Sequence, residues 1–487
     1  MAIFEGSDVE AIRKTLKVVY KDGMGVLFGR EGSAIKEIDF QKAEGKAYNF
    51  SAISGRGGAV AGNYDDAVTL ASQRGSQAEF SVEPGTIWAT YTVDKVDLAA
   101  SKSNLGAYAP VFKREFYRAT ASLRKTLSSA LYGRGYGEFA INPADISITV
   151  DPDGTNVSSK EYSVVLDPSA TQKIDVGTKI VFKTNIGDAE ESALTSGTVT
   201  ALLSGMKGFK FRADKAATVP AGAIICVKGS TVPGTSKPLL PIGLDAWFPI
   251  VKGRDESDQD WKDYISAAFC GEDRSQMVDR LAGAFYAPAS GTEKILDSLQ
   301  NALLLNRSMG GDADLIIMNT FDKAEAAKEI AVQNQYKTPT DSKSARKVNV
   351  GFEDFSVSAS TNIVDLIVDD IDCPRYKFYA LTKSSIAMLL WMAKRDQNKD
   401  DGIGTMDPGK PTIDDAEDFA LGDCVSKLDV NDYITVTDNA HSWRGPAVLV
   451  TLGFCGALAV FDPSANVVGY LAGAYGNEAS KILGWTK

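Results

Sequence analysis

Leu131-Tyr132-Gly133-Arg134-Gly135-Tyr136-Gly137 is the stretch on which the reading of this 487-residue chain turns. Three glycines at alternate positions continue neither a helix nor a buried strand. They follow a segment, 108–133, that reads as the longest helix of the chain. Phe112, Phe116, Ala119, Leu123, Leu127 and Leu131 recur there at helical spacing as one apolar stripe, with Gly133 as the expected stop. Arg114, Arg118 and Lys125 form a basic stripe beside it, and Glu115 is the only acid in the segment. That stripe is either a solvated face whose stems cover apolar surface or a face turned toward packed DNA or an acidic neighbour. Because the glycines follow a helix and not a strand, they read as a helix end and turn rather than a phosphate loop.

Upstream, Val9, Ile12, Leu16 and Val19 give a short amphipathic helix within 1–45. Residues 46–107 are rich in Gly and Ala. Phe80 and Val82 alternate with polar residues, Pro84-Gly85 supplies a turn, and Ile87, Ala89, Tyr91 and Val93 alternate back, which predicts a hairpin over Phe80–Val93. Trp88 falls on its more polar face. A lone hairpin is marginal in water. The apolar face, Phe80, Val82, Ile87, Ala89, Tyr91 and Val93, is therefore expected to lie over a neighbouring subunit, with Trp88 as a second anchor; the alternative folds the hairpin onto its own chain as an ordinary sheet edge. Downstream, six short β-rich runs between 140 and 240 suggest a small barrel or sandwich. From 244 the pattern is mixed: a helix near 292–306, a strand at Leu315–Met318, a helix near 322–332, and β-rich runs at 446–461 and 467–471. No internal repeat is found.

Composition narrows the function. At 44% apolar and 24% charged the chain is an ordinary globular protein. Its single histidine, His441, leaves no partner for histidine triads, His-rich zinc sites or two-His iron sites. Net charge is −11, yet residues 1–140 carry 18 Lys+Arg against 16 Asp+Glu. Such a balance argues against a free, tight nucleic-acid binder, while it permits a surface that tolerates packed DNA. Cys226, Cys270, Cys373, Cys424 and Cys455 lack Cys-x-x-Cys spacing and read as buried free thiols. Met1–Gly6 has no signal-peptide pattern, and the longest apolar run, Ala447 to Phe461, is too short for a membrane span.

Other motifs are weak. Gly55–Gly62 has no preceding strand, and Gly229–Gly234 is followed by Thr235-Ser236-Lys237 where Lys then Ser/Thr should stand. Asp396–Gly402 with Asp407 approaches a calcium loop, but Asp401 occupies the turn position where glycine belongs; a solvated acidic loop is the expectation. His441 has no obvious partner and is read as structural. No catalytic, metal or cofactor site is expected.

The helix end resembles the Leu-Tyr-Gly-Asp-Gly-Thr-Gly element of tailed-bacteriophage major capsid proteins, departing from it at Arg134 and Tyr136. Further fragments similar to that family follow in its order: Gly243–Pro249, Phe269–Ser275, Asp279–Gly283, Asp314–Asn319 and Asp369–Pro374. The resemblance implies an α+β fold of the Hong-Kong-97 type. Its parts would be an N-terminal arm (1–45), an extended loop (46–107), the spine helix of a peripheral domain (108–139), a β-rich inserted domain (140–243), a mainly axial domain (244–445) and a return to the peripheral domain (446–487). It further implies a non-enzymatic subunit that assembles with itself as pentamers and hexamers into an icosahedral head in the host bacterial cytoplasm. That head encloses double-stranded DNA without sequence preference, with scaffolding, portal and decoration proteins as further partners and no membrane. An encapsulin-like compartment holding protein cargo is the nearest alternative. An α/β nucleotide- or metal-using enzyme is disfavoured by the single histidine and the failed loops, and a secreted surface protein by the absent signal pattern.

Overall fold

The computed structural model describes residues 34–53, 62–66, 77–94, 111–149, 160–235, 237–251, 254–289, 291–333, 357–359, 362–364, 366–391, 435–438 and 447–472. The expected amphipathic helix from Val9 to Val19, residues 55–61 of the glycine-rich stretch, the acidic loop 396–407, Cys424 and His441 lie outside them. The chain divides into two compact units.

The first unit takes in Thr86–Leu127 and Met392–Cys455. The strand Gly85–Asp94 pairs with the long strand Ala447–Val460. Thr435–Asp438 runs antiparallel to that long strand, with Val436 opposite Leu452. Most of the helix Val111–Ala130 belongs here. In its described side chains the expected stripe is buried: Ala119, Leu123 and Leu127. Spacing of three to four residues puts them on one face.

The second unit contains a mixed five-stranded sheet in the order Ala284–Tyr286, Val467–Tyr470, Lys377–Leu381, Leu315–Met318, Leu366–Asp369. All four residues of Leu315–Met318 are buried, as a continuous apolar run in a central strand should be. The helix Ile295–Ser308 buries Ile295, Leu299, Ala302 and Leu303 in the sheet's core. Its first amides, at Ile295 and Leu296, donate to the Glu329 carboxylate from the helix Thr320–Gln333, which serves as a cap from outside the chain's local sequence. The last strand, Val467–Tyr470, pairs with both Ala284–Tyr286 and Lys377–Leu381. Local pattern cannot reveal that, because partner choice is a long-range matter.

The β-rich segment forms a six-stranded antiparallel sheet, in the order Glu138–Ile141, Ile224–Val227, Lys179–Lys183, Thr195–Leu202, Gly208–Ala213, Tyr162–Val165, with a separate ribbon of Ile146–Ile148 and Ala217–Val219. Alternation sends Phe209, Phe211 and Ala213 inward with Phe139, Val164, Phe182 and Ile225. This core belongs to the segment alone.

The expected hairpin is paired differently. Gln77–Val82 is antiparallel to Tyr48–Ile53, with Phe80 opposite Phe50, and Gly85–Asp94 joins the other sheet. Pro84-Gly85 is therefore a junction between two sheets rather than a hairpin tip. Gly85 leaves no room for a side chain, since a Cβ there would collide with the backbone of Leu240 and Pro241. Residues 54–76 connect the two strands of this ribbon in sequence.

Candidate functional site

The fragments that resemble the capsid family are far apart in sequence and meet at one buried polar node in the second unit. The helix ends in a turn whose left-handed residues are Gly135 (φ +91°) and Gly137 (φ +67°). Gly133 returns its N–H to Ala130 O without that conformation. The segment before Gly243–Pro249 straps this turn: Leu240 N–H donates to Gly135 O, Gly243 N–H to Gly133 O and Leu244 N–H to Leu131 O. Gly243 is needed for close approach, because a Cβ would strike the carbonyls of Ala130 and Leu131.

Three carboxylates organise the polar groups. Asp245 accepts from the Lys377 ammonium and from the Tyr379 hydroxyl. Asp370 accepts from Tyr132 Oη at 2.9 Å and from Ala34 N–H at 3.3 Å, which ties the arm-proximal residues to the helix end. Asp372 accepts from Ser128 Oγ at 2.7 Å. Burial, then the charge of Asp370, pushes the Tyr132 phenol well above its ordinary value. Burial likewise raises Tyr379 well above its own, with Asp245 adding to it. Burial holds the Lys377 ammonium below its ordinary value while Asp245 opposes the shift. These phenols therefore stay protonated donors at neutral pH.

The departure at Arg134 is accommodated locally. Its guanidinium stands 5.4 Å from the Tyr264 ring centroid. Burial alone would lower its pKa; Tyr264, Asp245 and Glu138 overcome that and raise it. Arg274, from the fragment Phe269–Ser275, is buried and donates to the carbonyls of Ala246 at 3.0 Å and Trp247 at 3.2 Å, lying 4.1 Å from the Phe269 ring centroid. Arg254 donates to the carbonyls of Pro249, Ala282 and Gly283 and so ties the fragment Asp279–Gly283 to Gly243–Pro249. Asn319 Nδ2 donates to Cys373 O at 2.6 Å, joining the last two fragments. Such groups fasten one stretch of backbone to another.

The expected contact residues part company. Phe80 and Val82 are fully buried in their own chain. Phe80 lies 5.6 Å from Phe50 and 5.2 Å from Trp247 by ring centroids, and Phe50 lies 5.2 Å from Phe461. This aromatic cluster covers Phe80 within its own chain. Ile87 is buried and Tyr91 half-buried. Trp88 remains 48% exposed, against Gly453, where a Cβ would collide with its ring. Arg118 is exposed and Lys125 half-buried, while the Arg114 side chain lies outside the described residues. Sequence reading held Tyr132 and Asp245 only inside its fragments, with no role given to either, and did not reach Lys377 or Tyr379. Asp245 and Lys377 are 132 positions apart, so no local spacing links them.

Among solved structures the chain resembles the capsid protein in the asymmetric unit of Cyanophage A-1(L), with a TM-score of 0.53 and 14% identity over 94% of this chain and 97% of that one. It also matches, at TM-scores of 0.41 and 0.40, the capsid of a native GTA particle and an encapsulin complex from Synechococcus elongatus, at 8% and 7% identity. No family model matches the sequence, and no curated protein does. The fold is that of a tailed-phage capsid protein of the Hong-Kong-97 type, α+β throughout.

Proposed function

We propose that this protein is the major capsid subunit of a tailed double-stranded DNA phage, building an icosahedral head from pentamers and hexamers of itself. The likeness to the cyanophage capsid protein across nearly the whole of both chains carries this reading. In it, 54–76 is the tip of the extended loop, Val111–Ala130 the spine helix, 138–227 the inserted domain, and the five-stranded sheet with its two helices the axial domain. The intersubunit role falls to Trp88 and the ribbon tip, since Phe80 and Val82 are used within the chain. Arg114, Arg118 and Lys125 face the packed DNA, contributing unspecific phosphate contacts. The subunit performs no catalysis; its work is geometric.

The test is negative-stain microscopy of the expressed full chain, alone and with any co-encoded scaffolding protein. Closed shells of uniform size are expected. A monodisperse monomer under both conditions refutes the reading, and shells that fill with a protein cargo in place of DNA favour the compartment alternative.

A further inference from the structure

The turn Gly229-Ser230-Thr231-Val232-Pro233-Gly234 has the glycine spacing of a phosphate loop without the lysine that completes one. Shell geometry makes no use of it. In the structure its amides do hold an anion, and the anion is the chain's own. Gly229 and Ser230 donate their N–H groups to Glu190 Oε1 at 2.8 and 2.9 Å, and Thr231 N–H reaches the same oxygen at 3.4 Å. Gly234 N–H donates to Glu191 Oε1 at 3.0 Å. Successive amides that converge on one oxygen make a backbone nest, the arrangement by which loops cradle oxyanions. Gly229, at φ +85°, gives the turn the curvature this needs.

A second observation is independent of the turn. Lys183, the last residue of the strand Lys179–Lys183, is fully buried, and its Nζ has no hydrogen-bond partner among the described residues. The Ser230 and Thr231 hydroxyls are buried in the same condition. Backbone hydrogen bonds, the Gly234 amide's among them, hold the Glu191 carboxyl below its ordinary value, with Lys183 adding a smaller part. A buried ammonium is costly unless a negative charge stands close by.

We propose that Gly229–Thr231 is an oxyanion site of the carboxylate class, filled in cis by Glu190. Its occupancy fastens the Glu190–Ser192 turn of the inserted segment to the strap that runs through Leu240 and Gly243 to the helix end. The filled nest also shuts out free phosphate and nucleotides, which accounts for a loop-like motif with no nucleotide function. This inference does not depend on the shell reading.

Glu190→Ala removes a methylene and a carboxylate, the atoms of one acetate ion, so the test is chemical rescue. In chloride the full-length variant is expected to unfold about 2–4 °C below wild type, by the usual relation of lost interaction to melting temperature. Replacing chloride by acetate at equal ionic strength should restore at least half of that loss. Any general salt effect acts on both proteins, so the readout is the difference between them. Equal responses of variant and wild type to acetate, or a variant as stable as wild type, overturn the proposal. Should Glu190→Ala fail to fold, hydrogen exchange decides on the wild type and on the isosteric Glu190→Gln. The amides of residues 229–231 should be protected in the wild type and lose protection in Glu190→Gln; rapid exchange in the wild type, or unchanged protection in the variant, overturns it equally.

Discussion

Replacing Asp245 by Asn tests whether the node beneath the helix end is held by a buried ion pair. The Lys377 side chain is 5% exposed and Asp245 19%, so little water reaches the ammonium once its anion is neutralised. Breaking a buried pair from one side typically costs about 3–5 kcal/mol, because the remaining charge stays desolvated. Here Tyr379 also loses its charged acceptor. The ammonium has one escape, loss of its proton, and burial already pushes its pKa down. The sign follows. A lysine whose folded pKa is depressed penalises the folded state at pH values below that pKa. The penalty fades as pH rises toward the unfolded value of about 10.4, where both states are neutral. Urea titration of the full-length variant should therefore show a midpoint lower by about 1–2 M at neutral pH, taking a slope of a few kcal/mol per M. The deficit should shrink near pH 9.5 to 10. The double variant Asp245→Leu with Lys377→Met should recover most of what Asp245→Leu alone loses, a non-additivity of about 0.5–3 kcal/mol or more. A variant within about 1 kcal/mol of wild type, a deficit independent of pH, or simple additivity of the two substitutions would show that the pair carries no such weight.

Cysteine chemistry is expected to be silent. Burial pushes Cys226 and Cys270 up to about 12 and Cys373 well above its ordinary value, and all three, with Cys455, are free thiols. Under native conditions at most one thiol per chain, Cys424, should react quickly with a disulfide reagent, and particles alkylated before a non-reducing gel should run as single chains. Two or more fast thiols, or a disulfide ladder, contradict this. Deleting Gly55–Gly62 should leave folded, soluble subunits or capsomers that fail to close into shells; insoluble protein points instead to a loop needed for folding, and normal shells defeat the assignment. Arg118→Glu with Lys125→Glu should assemble normally yet retain less DNA, most visibly at low salt where phosphate contacts count most; full packaging removes the stripe from the DNA-facing surface.

Periodicity made much of the fold legible. The stripe from Ala119 to Leu131, the alternating Phe209-Lys210-Phe211 and the solid run Leu315–Met318 each sit where spacing puts them, because burial acts directly on those side chains. Pairing was not legible. Phe80 and Val82 alternate equally well as a hairpin arm with Ile87 or as the partner of Tyr48–Ile53, and only the aromatic cluster of Phe50, Trp247 and Phe461 decides between them. The strand Val467–Tyr470 likewise finds its partners about 90 and 180 positions earlier, at a separation to which no local pattern is sensitive. Of the node, the fragments were visible and the bonds were not, since Ser128 to Asp372 and Tyr132 to Asp370 are contacts made by the fold itself.

That reassignment changes where the burial of Phe80 and Val82 counts. If Phe80 and Val82 had faced a neighbour, covering them at about 25 cal/mol per Å² would have supplied several kcal/mol to each contact. They supply it instead to the subunit, where the cluster with Phe50 and Trp247 anchors the base of the ribbon next to Arg274 and Cys270, whose carbonyl receives the Ser81 N–H at 2.8 Å. Trp247 links the base of the ribbon to the helix-end node, since it follows Asp245 by two residues and donates its indole N–H to Leu458 O at 2.8 Å. Trp88, 48% exposed, is the large apolar side chain of the strand Gly85–Asp94 that stays on the surface.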